Sequence, residues 1–207
     1  MNSAANNALL IVLSAPSGGG KTTLCTQLLA ANTHVDRAVT CTTRAPRGGE
    51  CDGVDYFFLT REVFEQKLAA GEFLEHANVY GNFYGTLKSE VLAKLRAGRD
   101  VLLAIDVQGA ASVRAIAQQD EEFRHALATV FLTPESAAVL EQRLHNRGED
   151  APEAVQKRLA VARQEVAQWV YFDYLIYSTS VAEDLRRMQT VLDAEKMRCV
   201  RVSPPNF

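Results

Sequence analysis

Apolar positions follow two textures along the chain. Short runs over residues 8–13 (ALLIVL), 101–105, 128–132 and 174–177 are partly β-branched and closed by polar or turn residues. Such runs predict strands buried on both faces. Between them, apolar residues three or four apart predict helices over 22–31, 88–97, 110–118, 135–146, 152–169 and 181–199. Strands alternating with helices of this length give an α/β fold with a parallel sheet flanked by helices. From about residue 35 to 85 the texture changes. Thr, Tyr, Phe and Gly dominate there, and extended pieces such as VDYFFL and EFLEHANVYG surround one short helix near 60–70, which predicts a small β-rich insertion.

Composition narrows this reading. A chain of 207 residues, 47% hydrophobic, suits one domain with insertions better than two independent ones. The net charge of -3 gives no global attraction for nucleic acid or an anionic membrane, so neither is expected as a partner. Cys25, Cys41, Cys51 and Cys199 form no C-x-x-C pair, which argues for isolated reduced thiols over a zinc site or disulfide framework. The first residues carry no basic flank, and ALLIVL is too short for a secretory or membrane segment. A cytoplasmic protein is the expectation.

The strongest chemical signal is SAPSGGGKTT, residues 14–23. It ends like a phosphate-binding loop and lies between a predicted strand and a predicted helix, the context that such a loop requires. Gly18, Gly19 and Gly20 let backbone amides face an anion, the helix start adds its positive end, Lys21 reaches terminal phosphates, and the Thr22 hydroxyl suits Mg²⁺. Ala15 stands where the usual pattern has glycine, which is harmless if its φ is negative. Asp106, at the end of a hydrophobic strand, reads either as a polar terminus or as a carboxylate supporting Mg²⁺, and the loop favours the second. Arg44, Arg47 and Tyr56 fit a monophosphate but also fit a solvated turn. Glu75, Tyr84 and Thr86 would by default be polar residues of a hairpin edge. Arg143 and Arg147 share a helix face and Arg158 follows on the next helix, a pattern usual for solvated surfaces unless phosphate is transferred nearby.

The ordered series SAPSGGGKTT, TTRAPRGGE with DYFF, FLEHANVYGNFYGT, IDVQGA, and RLHNRG followed by KRL resembles the guanylate kinase family of P-loop nucleoside monophosphate kinases, from about residue 9 to 199. The resemblance implies transfer of the ATP γ-phosphoryl group to GMP, with Mg²⁺ accompanying ATP. It implies a core of residues 8–34 and 88–200, a GMP-binding insertion of 35–87 and a helical lid of about 135–165. Carried over, it assigns Ser17, Gly18, Gly19, Gly20, Lys21, Thr22 and Thr23 to ATP. Thr40 and Thr86 place hydroxyls near guanine, Glu75 reads the ring edge, and Arg44, Arg47, Tyr56 and Tyr84 hold the GMP phosphate. Lys21, Arg143, Arg147 and Arg158 belong to phosphoryl transfer. Asp106 matches the second acid of a D-x-D, on the GMP side and, with Thr22, on the metal side. Guanine offers N1–H and an exocyclic amine along one edge, a pair that a carboxylate accepts, whereas adenine lacks it. Two departures stand out: Ala104 replaces the first acid of the D-x-D, with repacking around the methyl group as the expected compensation, and YSTS (177–180) replaces a segment usually containing Asn beside acids. Residues 118–125 are expected as a surface loop and the tail RVSPPNF as loose. The alternatives are an interaction module without catalysis and a kinase for another phosphorylated acceptor; Lys21, Thr22 and Asp106 oppose the first, and Glu75, Thr40 and Thr86 the second.

Overall fold

The computed structural model describes residues 7–145 and 152–202. Its centre is a five-stranded, fully parallel sheet: β1 (Leu10–Ser14), β2 (Val35–Arg37), β7 (Asp100–Ala104), β8 (Leu127–Pro134) and β9 (Tyr174–Ser178), in the order β2-β7-β1-β8-β9. Every residue of β1 is buried because both sheet faces are covered. Leu10 and Val12 face one layer, packing with Val101 and Leu103 against α3 (Lys88–Arg96), α4 (Val107–Gln119) and α5 (Glu121–Ala126). Leu9, Ile11 and Leu13 face the other, with Leu102, Val130 and Ile176 against α1 (Lys21–Ala31) and α8 (Val181–Lys196). The alternation is the two-residue period of a strand reporting on two separate cores.

A second sheet, in the order β4-β3-β6-β5, contains β3 (Thr40–Thr42), β4 (Tyr56–Phe58), β5 (Phe73–Val79) and β6 (Asn82–Leu87). One face is covered by α2 (Arg61–Ala69), whose Phe64 lies 4.3 Å from the Phe73 ring and 5.3 Å from the Phe83 ring, centroid to centroid. Two further helices, α6 (Ala137–His145) and α7 (Pro152–Val166), close a small core of their own from Leu140, Leu144, Leu159 and Ala162. Among the described residues there are thus three packed regions, and the fully parallel sheet belongs to the central one.

Several elements differ from the sequence expectation. Residues 35–37 form β2 and pair in parallel with β7, so they belong to the central sheet and the second sheet starts at Thr40. Residues 118–125 are not a loop. Asp120 accepts from the amides of Glu122 and Phe123 and starts α5, which buries Phe123 completely. Helix α7 stops at Val166 and the chain continues as a 3₁₀ turn over Ala167–Tyr171. Helix α8 stops at Lys196. Arg201 is anchored, not loose: its guanidinium donates to Glu195 Oε2 at 2.7 Å and to the Leu127 carbonyl at 2.9 Å. The remainder of the expected tail, 203–207, lies outside the described residues.

Candidate active site

The carboxyl ends of β1, β7, β8 and β9 share one edge of the sheet, the edge where open α/β folds bind ligands. The turn after β1 is the glycine loop. Gly18 and Gly20 have φ of 83° and 98°, a region that other residues enter only with strain, and Gly20 leads directly into α1. Ala15 is buried and has no positive φ, so glycine is not required there. Ser17, Thr22 and Thr23 are exposed at the loop and in the first turn of α1. The Lys21 ammonium donates to the Ile105 carbonyl at 2.9 Å. Burial lowers its pKa, while Asp106 and Glu165 oppose the shift.

The strand end that holds Lys21 also leads to the second sheet. Asp106 caps α4 by accepting from the Gly109 amide at 2.8 Å and remains exposed. Gly109 allows a close approach: a Cβ there would stand 3.3 Å from Ile105 and 3.4 Å from Glu75 Oε2. Glu75, on β5 and only 7% exposed, accepts from the Thr86 hydroxyl at 2.7 Å. Burial pushes its carboxyl pKa up, Thr86 opposes, and Asp106 adds to the rise. Ala104 is exposed, with no packing around its methyl group of the kind expected for repacking.

The remaining residues of the second region lie on and beside the same sheet. Thr40 begins β3. The Arg44 guanidinium lies 5.4 Å from the Tyr56 ring centroid, and Tyr56 lies 6.2 Å from Tyr84. Arg47 is exposed in the adjoining turn. Glu50, the last residue of TTRAPRGGE, joins this cluster without a sequence signal of its own. It accepts from Arg44 at 2.9 and 3.0 Å and from the Arg47 amide at 2.7 Å, and Arg44 holds its carboxyl below the usual range. Arg37 stands 6.0 Å from the same Tyr56 ring and was likewise missed, since nothing in its sequence neighbourhood marks it.

On the other side, α6 and α7 reach the glycine loop. A Cβ on Gly18 would stand 3.0 Å from Leu144, and Glu165 of α7 accepts from the Ser17 amide at 3.3 Å. Arg143 donates to the Ser178 hydroxyl at 2.9 Å and to its carbonyl at 3.3 Å. It helps to line a cavity of about 380 Å³ bounded by Gly18, Gly20, Thr23 and the β9 end. Arg158 is exposed on α7. Arg147 lies outside the described residues. The structure therefore shows a glycine loop at a cavity that Arg143 helps to line and, on the second sheet, a buried carboxylate bonded to Thr86 and a cluster of Arg44, Tyr56 and Tyr84.

The guanylate kinase family model matches residues 7–195. The chain is 42% identical over 200 residues to a guanylate kinase of Paramagnetospirillum magneticum, covering 96% of this chain and 91% of that protein. It is 44% identical over 193 residues to that of Symbiobacterium thermophilum, covering 93% and 88%. The crystal structure of guanylate kinase from Anaplasma phagocytophilum superimposes with a TM-score of 0.71 at 32% identity, over 94% of this chain and 89% of that one. A glycine loop at the sheet edge, a second sheet with a buried carboxylate and full-length similarity lead to one conclusion: the chain belongs to the guanylate kinase family.

Proposed function

We propose that the chain transfers the γ-phosphoryl group of ATP to GMP, giving ADP and GDP. Residues 40–87 serve as the acceptor-binding insertion, 8–37 and 88–200 as the core, and about 135–165 as the lid. The observation that carries the acceptor is Glu75. A carboxylate 7% exposed whose hydrogen bonds come from the neutral hydroxyl and amide of Thr86 is still costly to bury, and the guanine edge supplies two N–H donors. Thr40 and Thr86 complete the base site; dGMP, with the same base edge, is expected as an acceptor too. Arg44, Arg47, Tyr56 and Tyr84 hold the acceptor phosphate, with Glu50 presenting Arg44.

On the donor side, Ser17, Gly18, Gly19, Gly20, Lys21, Thr22 and Thr23 take the triphosphate. Lys21 and Arg143, joined by Arg147 and Arg158, offset the charge that develops during in-line transfer, where catalysis is mainly positioning and electrostatics. Thr22 and Asp106 are exposed oxygen donors at the α1 start and β7 end, a set that fits Mg²⁺ held largely through phosphates. The ion would supply charge neutralisation on the bound triphosphate. No helix among the described residues is long and apolar enough to cross a membrane.

The deciding experiment is an acceptor panel of GMP, dGMP, AMP and a sugar phosphate, read as acceptor-dependent ADP release. GMP should lead AMP by about 10⁴-fold in kcat/KM. Folded protein with no GMP-dependent ADP release would mark a binding module instead.

A further inference from the structure

The segment 177–180, which departs from the family pattern, ends β9 at the donor side. Its Ser178 is not alone there. Helix α8 starts from Ser180, whose hydroxyl accepts from the Glu183 amide, and this start turns Asp184 back over the end of β9. Asp184 is 6% exposed. Its Oδ2 accepts from the Ser178 hydroxyl at 2.7 Å and its Oδ1 from the Thr179 amide at 3.0 Å. Both oxygens of a buried carboxylate are therefore engaged, which is what keeps such a group tolerable.

The direction of these bonds has a chemical consequence. Ser178 has one hydroxyl proton and gives it to Asp184, so its lone pairs are left for Arg143, which donates to them at 2.9 Å. A Cβ on Gly20 would stand 3.7 Å from Ser178 Oγ and 3.9 Å from Arg143 Nη1, so the guanidinium lies over the last glycine of the loop. Arginine has a long side chain with high rotamer entropy, and a fixed acceptor lowers the entropy that must be lost when it meets phosphate. We propose that Asp184 is a positioning residue for phosphoryl transfer: by polarising Ser178 it holds the Arg143 guanidinium over the phosphate loop. The inference rests on the reading of Arg143 as a donor-side residue.

Asp184→Asn tests this because an amide cannot reproduce the pattern. Its one oxygen must serve the Thr179 amide, so its NH₂ faces Ser178 and the hydroxyl proton is released toward Arg143, where an acceptor is needed. The expected result is a fall in kcat of about ten- to a hundredfold, the scale of a misplaced charge, with the GMP KM unchanged. Ser178→Ala should give the same loss, Ser178→Thr should retain most activity, and the Asp184→Asn/Ser178→Ala double variant should be no slower than either single one. If Asp184→Asn fails to fold, Ser178→Ala and Ser178→Thr carry the same comparison. A wild-type kcat in Asp184→Asn, or losses that multiply in the double variant, overturns the proposal. Arg143→Ala separates the two levels of the argument. Full activity in that variant removes Arg143 from catalysis and the proposal with it, whereas a large loss there beside unaffected Asp184 and Ser178 variants leaves Arg143 in place and removes only the link.

Discussion

The two sides of the active site treat buried charge in opposite ways. Glu75, on the second sheet, meets the neutral hydroxyl and amide of Thr86, and burial holds its carboxyl above the ordinary value. Asp184, on the donor side, is as deeply buried yet has each oxygen engaged within the chain, and Ser178 and Arg143 continue the network. A buried carboxylate held by neutral donors gains from a ligand that brings further N–H groups, and the wrong ligand leaves it poorly satisfied. A group already satisfied holds geometry and reads little. On the proposed function, the difference assigns base selectivity to Glu75 and phosphate alignment to the Asp184–Ser178–Arg143 network.

The largest test removes the charge on the donor side. Lys21→Ala should leave the fold intact and lower kcat about 10²- to 10³-fold, because an ammonium aimed at transferring phosphate acts mainly in the transition state. Single-turnover ADP release at saturating GMP measures it, and near-normal release would end the assignment of Lys21 to transfer.

Next comes the acceptor side itself. Glu75→Gln should cut the GMP-over-AMP ratio in kcat/KM about a hundredfold, since the amide offers one acceptor and one donor in place of a charged pair of acceptors. The pH dependence follows from the same residue. A carboxyl with its pKa raised in the fold binds protons more tightly folded than unfolded, so it favours the fold as pH falls through that window and costs stability above it. On the proposed function, GMP is accepted by the ionised form. The acid limb of kcat/KM for GMP should therefore lie above the ordinary glutamate value of 4.5 and vanish in Glu75→Gln. A limb that persists unchanged in the variant would belong to another group.

A smaller effect is expected from crowding. Gly109→Ala presses a methyl group against Ile105 and Glu75 Oε2, and overpacking of this kind costs about 1–3 kcal/mol. The GMP KM should rise while the ATP KM stays near wild type; equal rises in both would show that the two sides are not separable here. Ala104→Asp should do least. The position is exposed at the strand end, so the thermal midpoint should change little, within about ±0.5 kcal/mol of stability. A large destabilisation would mean that the methyl group is packed after all.

What could be read from the sequence depended on how local the cause was. The loop of residues 14–23 and strand β1 were legible because their signals are contiguous: an apolar run, glycines, then Lys21 and Thr22. Strand β2 was missed because Val35, Asp36 and Arg37 have no pattern of their own and become a strand only by pairing with β7. Helix α5 was missed because six residues show less than two turns of periodicity, and its cap Asp120 looks like any acidic residue. In the site, Glu75 and Thr86 were named, but that they touch depends on strand register, with the two directly opposed between β5 and β6. Glu50 and Asp184 act by holding other residues, and such a role has no sequence signature of its own.

The carbonyl of Ile105 accepts from Lys21 on one side and from the Ser14 hydroxyl at 3.0 Å, while the Ile105 side chain packs at Gly109, beside Glu75. One residue thus touches Lys21 through its carbonyl and the packing beside Glu75 through its side chain. Thermodynamic reciprocity then constrains the enzyme: any factor by which GMP alters ATP affinity through this residue must equal the factor by which ATP alters GMP affinity. Calorimetric titration of each nucleotide, with the non-reacting ADP in place of ATP, measures that factor from both directions, and its dependence on the Gly109→Ala change would locate the coupling at Ile105.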